Sequence, residues 1–166
     1  MSKCFNTFVR TRNKTLQGYT LLDSGASHHI FSDQSRFTRL QAAHGSPAVE
    51  AGGGQVPMTG YGTVALETLD EKGRRRILTL ENAILCPGFI CNLVSVSELA
   101  KRGLYWDLKT PNCCIRRANG IFLCQVIPQH GLYYLDNQIQ HTENYTGFVA
   151  ACHARKSTDP RPPKWC

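Results

Sequence analysis

Residues 63–80 constrain the fold more than any other stretch. Thr63-Val64-Ala65-Leu66-Glu67-Thr68-Leu69 alternates towards a polar turn, Asp70-Glu71-Lys72-Gly73. Arg76-Ile77-Leu78-Thr79-Leu80 then returns. Spacing and turn chemistry predict a β-hairpin. The same grammar recurs along the chain. Tyr19–Leu22, His28–Phe31, Leu104–Leu108, Cys114–Arg117, Ile121–Ile127 and Leu132–Leu135 all read as short strands. Asn82–Leu85 reads as a further separate run, stopped by Cys86-Pro87-Gly88. Asn119-Gly120 is a two-residue turn signal. Phe37 and Leu40 anchor a short helical or irregular piece. One helix is expected, over 95–102: Ser95 stands at the cap, Glu98 three residues on, and Gly103 ends it. A mostly β fold, a small barrel or sandwich with one short helix, follows.

The flanks lack this grammar. Residues 1–18 form a basic linker without apolar period, and 137–166 a poorly structured tail containing Asp159-Pro160-Arg161-Pro162-Pro163. Of the net charge of +7, residues 1–19 carry +4 and residues 141–166 carry +2. Nucleic acid is therefore expected to be attracted only weakly, through the tails. No apolar run approaches the roughly 18 residues of a membrane span, and the N-terminal stretch lacks a signal peptide's apolar core. An intracellular, cytoplasmic protein without membrane contact is expected, and its eight cysteines read as thiols before disulfides. None shows C-x-x-C spacing. His141, Cys152, His153 and Cys166 match no compact zinc pattern, so neither metal nor cofactor is expected.

The chemistry-bearing feature is Asp23-Ser24-Gly25, followed by Ala26 and Ser27, at the end of a Leu-Leu strand. A tight turn of small residues holds an acid with its carboxylate projecting; Ser24 can orient the neighbouring backbone, and Gly25 permits close approach. The bland alternative is a turn-capping aspartate. Peptide hydrolysis by carboxylates needs two acids in contact, one ionised to take a proton from water and one protonated to polarise the scissile carbonyl. Asp33, Asp70, Asp107 and Asp136 lack the small-residue turn. At 166 residues the chain is too short for two lobes that each supply an acid, so a homodimer would bring one Asp23 from each subunit to its axis. The glycines Gly52, Gly53, Gly54, Gly60 and Gly62 suggest a flap over about 49–62 that closes on substrate, or else a plain flexible turn. His28 and His29 read as packing or surface residues, and Arg74-Arg75-Arg76 as a solvated hairpin end.

These residues carry a resemblance. Leu22-Asp23-Ser24-Gly25-Ala26-Ser27 with His29, Gly60-Tyr61-Gly62-Thr63-Val64, Asn92-Leu93-Val94-Ser95-Val96-Ser97-Glu98-Leu99 with Gly103, and Leu132-Tyr133-Tyr134-Leu135 are similar to the protease region of Ty1/copia-type retrotransposon Pol polyproteins. That region is of the retropepsin class of aspartic proteases. The likeness spans about 19–136. It implies a small closed retropepsin-like barrel over those residues, Asp23 as the catalytic acid, and a substrate drawn from its own or a related polyprotein. It also admits residence in virus-like particles. No zinc knuckle precedes the match and no integrase-entry segment follows, so the chain reads as part of a longer polyprotein. Two functions stay open: an aspartic endopeptidase processing that polyprotein as a homodimer, and a catalytically silent β-barrel remnant or interaction module.

Overall fold

The hairpin around Asp70 is the longest pairing among the described residues. β6 (Gly60–Leu69) runs antiparallel to β7 (Arg75–Leu85), with Val64 opposite Leu80 and Leu66 opposite Leu78. The computed structural model describes residues 18–51, 54–109, 113–129 and 131–135. The readings made for 1–17, for 136–166 and for Gly52 and Gly53 lie outside them.

β7 corrects one expectation. The runs Arg76–Leu80 and Asn82–Leu85 are one strand, not two. Leu80 faces Val64 and Ala83 faces Gly62, so Glu81 and Asn82 stand opposite Thr63 alone. This bulge puts Asn82 at a φ of 55°, left-handed backbone that asparagine tolerates better than most residues. The polar pair that seemed to separate two strands is the bulge itself.

At the hairpin turn, Asp70 accepts the backbone N–H groups of Lys72 and Arg74 on Oδ1, each at 2.9 Å, and the Arg74 guanidinium on Oδ2 at 2.8 Å. The Arg76 guanidinium also approaches Oδ2, at 3.4 Å. Arg74 and Arg76 therefore clamp the turn, and the solvated hairpin end is only part of their role. The Arg74 N–H above all, with the Lys72 N–H and the Arg74 guanidinium, holds the Asp70 carboxyl down at about 2. A carboxylate depressed in the fold stabilises it above its ordinary value near 3.8, and that support vanishes as pH falls through about 2. Asp70→Asn is expected to lower the urea midpoint at pH 7, and the gap to wild type should close on titration towards pH 2. A gap that does not depend on pH would contradict this.

The remaining strands assemble on this hairpin. A 3-10 turn, Gln34–Arg36, capped by the Asp33 carboxylate, leads into β3 (Phe37–Ala42), which pairs with β6. The short helical or irregular piece expected around Phe37 and Leu40 is thus a strand. β1 (Thr20–Asp23), β2 (Ile30–Phe31), β8 (Asn92–Ser95), β12 (Ile127–Gln129) and β13 (Leu132–Tyr134) complete an eight-stranded sheet of order β12-β13-β1-β8-β2-β7-β6-β3. β4 (Ala48–Ala51) and β5 (Gly54–Pro57) form a separate hairpin. β9 (Leu104–Asp107), β10 (Cys114–Arg117) and β11 (Phe122–Gln125) form a three-stranded sheet. α1 (Val96–Lys101) is the expected helix, with the Ser95 hydroxyl accepting the Glu98 N–H.

The central strands are buried on both faces, and period two sorts their side chains. Leu22, Phe31 and Val94 join Val64, Leu66, Leu78 and Leu80 in one core, closed by Leu99, Ile115, Cys124 and Val126. Leu21, Ile30 and Leu93 point the other way, into a second cluster with Ile84, Cys86, Phe89, Cys91 and Tyr134. A mostly β architecture with one short α-helix is therefore observed among the described residues. The expected closed barrel is not found. Edge strands β3 and β12 do not pair with each other among the described residues. The apolar face that a closed barrel would curl inward is covered by the three-stranded sheet instead. No described helix is long and apolar enough to cross a membrane.

Candidate active site

Asp23 ends β1, which pairs in parallel with β8 in the register Thr20–Asn92 to Asp23–Ser95. Two strand ends therefore lie side by side, one offering the carboxylate and the other the helix-capping serine. From Asp23 the chain arches over the end of β8 and returns as β2, antiparallel to β8 on its far side, with Ile30 opposite Leu93. The small-residue turn is the arch.

Each end of the arch is tied down. Asp23 is half-buried, and its Oδ1 accepts the Gly25 N–H at 2.7 Å. That is an Asx turn, so the turn-capping reading of Asp23 holds for this oxygen. Ser24, Gly25 and Ser27 are exposed and Ala26 half-buried. The Ser95 hydroxyl donates to the Ala26 carbonyl at 2.6 Å, and the Ser97 hydroxyl reaches the same oxygen at 3.4 Å. His29 is fully buried, and its Nδ1 accepts the Ser95 N–H at 3.0 Å. At the base, the buried Asn92 side chain accepts from the Ser32 N–H at 3.1 Å and donates to the Gly18 carbonyl at 3.3 Å.

Ser95, Asn92 and His29 are the site residues whose roles the sequence concealed. Ser95 was legible as a cap and as part of a motif, Asn92 only as part of that motif. His29 was read as a packing or surface residue, although a histidine directly before the apolar pair Ile30-Phe31 was a usable signal for burial. Among the described residues the other aspartates are engaged elsewhere: Asp33 at the 3-10 turn, Asp70 at its hairpin, and Asp107 with Arg116 at 3.0 Å.

The structure divides the glycines expected in the flap. Gly54 begins β5 of the small hairpin. Gly60 and Gly62 lie in β6, inside the large sheet, where a Cβ on Gly62 would stand 1.9 Å from the Arg39 carbonyl oxygen and one on Gly60 2.8 Å from that of Gln41. Close approach of β3, not mobility, explains them, and the hairpin itself ends at Pro57. Its apolar residues Val49, Ala51 and Val56, and Met58 just beyond it, pack on the second cluster. Asp23 borders that cluster too: burial first, then the Asp23 charge, push the Cys91 thiol up to about 12. The hairpin and the Asp23 loop therefore flank one apolar patch. Cys86, Cys91, Cys113, Cys114 and Cys124 are all buried free thiols. The described residues contain no His/Cys/Asp/Glu group able to hold a metal ion.

Comparison with known proteins agrees with this geometry in its extent. A family model described as "Pol polyprotein, beta-barrel domain" matches residues 20–104, from β1 to the start of β9. A curated "Retrovirus-related Pol polyprotein from transposon RE1" of Arabidopsis thaliana is 36 % identical over 80 residues, which is 48 % of this chain and 5 % of that protein. The chain thus spans only about 5 % of the length of that relative. No solved structure matches. With the family match covering half of the sequence, including the Asp23 arch and the strand that anchors it, the chain is a retrotransposon Pol polyprotein region and belongs to the Pol polyprotein beta-barrel domain family.

Proposed function

We propose that this domain is an aspartic endopeptidase that processes a retrotransposon polyprotein, active as a homodimer. The observation that carries the reading is the placement of Asp23. It sits at the end of a strand paired on both sides, on an exposed arch anchored through Ser95, with one carboxylate oxygen held by the Gly25 N–H. Such an acid is pre-oriented, and the exposed arch leaves room for a second copy.

In the dimer the two Asp23 carboxyls share one proton, because like charges a few ångströms apart do not both ionise. The ionised acid takes a proton from the attacking water, and the protonated one polarises the scissile carbonyl. The substrate is an extended polypeptide laid as an added strand beside the β4–β5 hairpin.

The silent-remnant reading has one observation in its favour. The apolar side of the β4–β5 hairpin, Val49, Ala51 and Val56, is already packed, half-buried, on the chain's own second cluster. Serial dilution separates the two. With sedimentation measured in parallel, specific activity on an unstructured protein should fall as the dimer dissociates. Undiminished specific activity in a dilute monomer would refute the shared-acid dimer. A dimer with no cleavage would favour the remnant.

A further inference from the structure

The two-carboxylate chemistry uses no imidazole, yet His29 is 0 % exposed and placed at the foot of the Asp23 arch. We propose that His29 is a positioning residue: its neutral imidazole is the latch that holds the Asp23 loop on the N-terminus of α1, and protonation releases it. The structural content stands alone; its effect on cleavage rests on the peptidase reading above.

The argument begins with the cap. In a capping box, the third helical residue turns back to accept the N–H of the cap residue. Here that residue is Glu98, and its carboxylate pairs with the Lys101 ammonium instead. The orphan Ser95 N–H goes to His29 Nδ1 at 3.0 Å. A side chain from the arch therefore fills the place that the helix's own glutamate leaves open. The Ser95 hydroxyl meanwhile holds the Ala26 carbonyl, and Ser95 is the register partner of Asp23. One residue of β8 thus grips the arch at Ala26 and at His29 and stands beside Asp23.

This bond fixes the tautomer. Nδ1 presents its lone pair, so the proton resides on Nε2, which has no hydrogen-bond partner among the described residues. Imidazolium carries a proton on both nitrogens. An Nδ1–H would point at the Ser95 N–H, donor against donor, and the bond would be lost. Three charged or titratable groups face the ring. Glu98 on α1 favours the cation, while Arg102 at the end of α1 and the neighbouring His28 oppose it. Burial, the largest influence, outweighs Glu98 and together with Arg102 and His28 lowers His29 from 6.5 to about 4.

The sign follows. An arch that has opened exposes His29 to water and returns it to its ordinary value, so the open form binds the proton first. The latch is fully effective above about 6.5 and is lost as pH falls towards about 4. At pH 5 the opening equilibrium rises about twentyfold over its value at pH 7. Peptidase activity would then acquire an acid limb set by the latch rather than by the carboxyl pair.

The test is the protection factor of the Ser95 amide, corrected for intrinsic exchange, from pH 7.5 to 4.5. In the wild type it should fall about twenty- to thirtyfold by pH 5. His29→Gln supplies an acceptor that does not titrate, and its Ser95 protection should stay flat. His29→Phe should be poorly protected at every pH. Flat protection in the wild type overturns the proposal, as does a Gln variant that falls with the same midpoint. The wild-type arm decides even where a variant fails to fold. Where cleavage is measurable, the Gln variant should extend kcat to lower pH. Failure of Asp23→Asn to abolish cleavage would sink the peptidase reading and leave the latch intact.

Discussion

Asp23→Asn lowers peptide cleavage by at least about a thousandfold, the scale of a lost acid–base function, and leaves the urea midpoint nearly unchanged. The two halves of this expectation have separate causes. Asparagine keeps the carbonyl oxygen that accepts the Gly25 N–H, so the Asx turn and the arch survive. What disappears is the ionisable group, and with it the shared proton. Self-processing of a longer precursor is the most direct measurement: wild type should mature and the variant should persist uncut. The variant dimer should also sediment at least as tightly as wild type, since charge repulsion at the axis is gone. Maturation of the Asn precursor in a strain free of other proteases would refute the mechanism.

Gly62→Ala destabilises the fold by about 3 kcal/mol, the upper end of what overpacking costs. The added Cβ would sit 1.9 Å from the Arg39 carbonyl oxygen and 2.8 Å from its carbon. Both are backbone atoms in a paired strand, so relief requires β3 to move away from β6. Gly54→Ala is the contrasting case. The nearest atom to its Cβ is the Ala51 carbonyl oxygen, at 4.0 Å, an ordinary contact. Its cost should stay within about 1 kcal/mol. Urea denaturation of the two variants side by side checks this. Equal stabilities would mean that Gly62 belongs to a mobile segment after all.

That comparison also shows what the sequence could and could not convey. A run of glycines announces that side chains are absent, but not whether the vacated space serves motion or a neighbouring strand. Gly54 and Gly62 look alike in one dimension. β3 was obscured for the same reason. Only Phe37 and Leu40 of its six residues are even half-buried, and it lies against a glycine-bearing stretch of β6, so apolar alternation is weak. By contrast, the Asp70 turn, the Ser95 cap and the Asn119-Gly120 turn are local chemistry within four residues, and all three were legible. The Asp23 turn was legible as a turn. Its anchoring was not, because the parallel β1–β8 pairing joins residues remote in sequence, and the His29–Ser95 bond exists only once that pairing has formed.

The pairing of β1 also orders events in time. Of the three strands β1, β8 and β13, the ribosome releases β1 first, and its partners arrive only with Asn92 and Tyr134. Contacts this distant along the chain close slowly and late. Until Leu21 has met Tyr134, the strand that ends in Asp23 lacks one of its two neighbours. The turn that carries Asp23 is thus among the last parts of the domain to take up its final place, although its own residues are among the first of the described chain to be made.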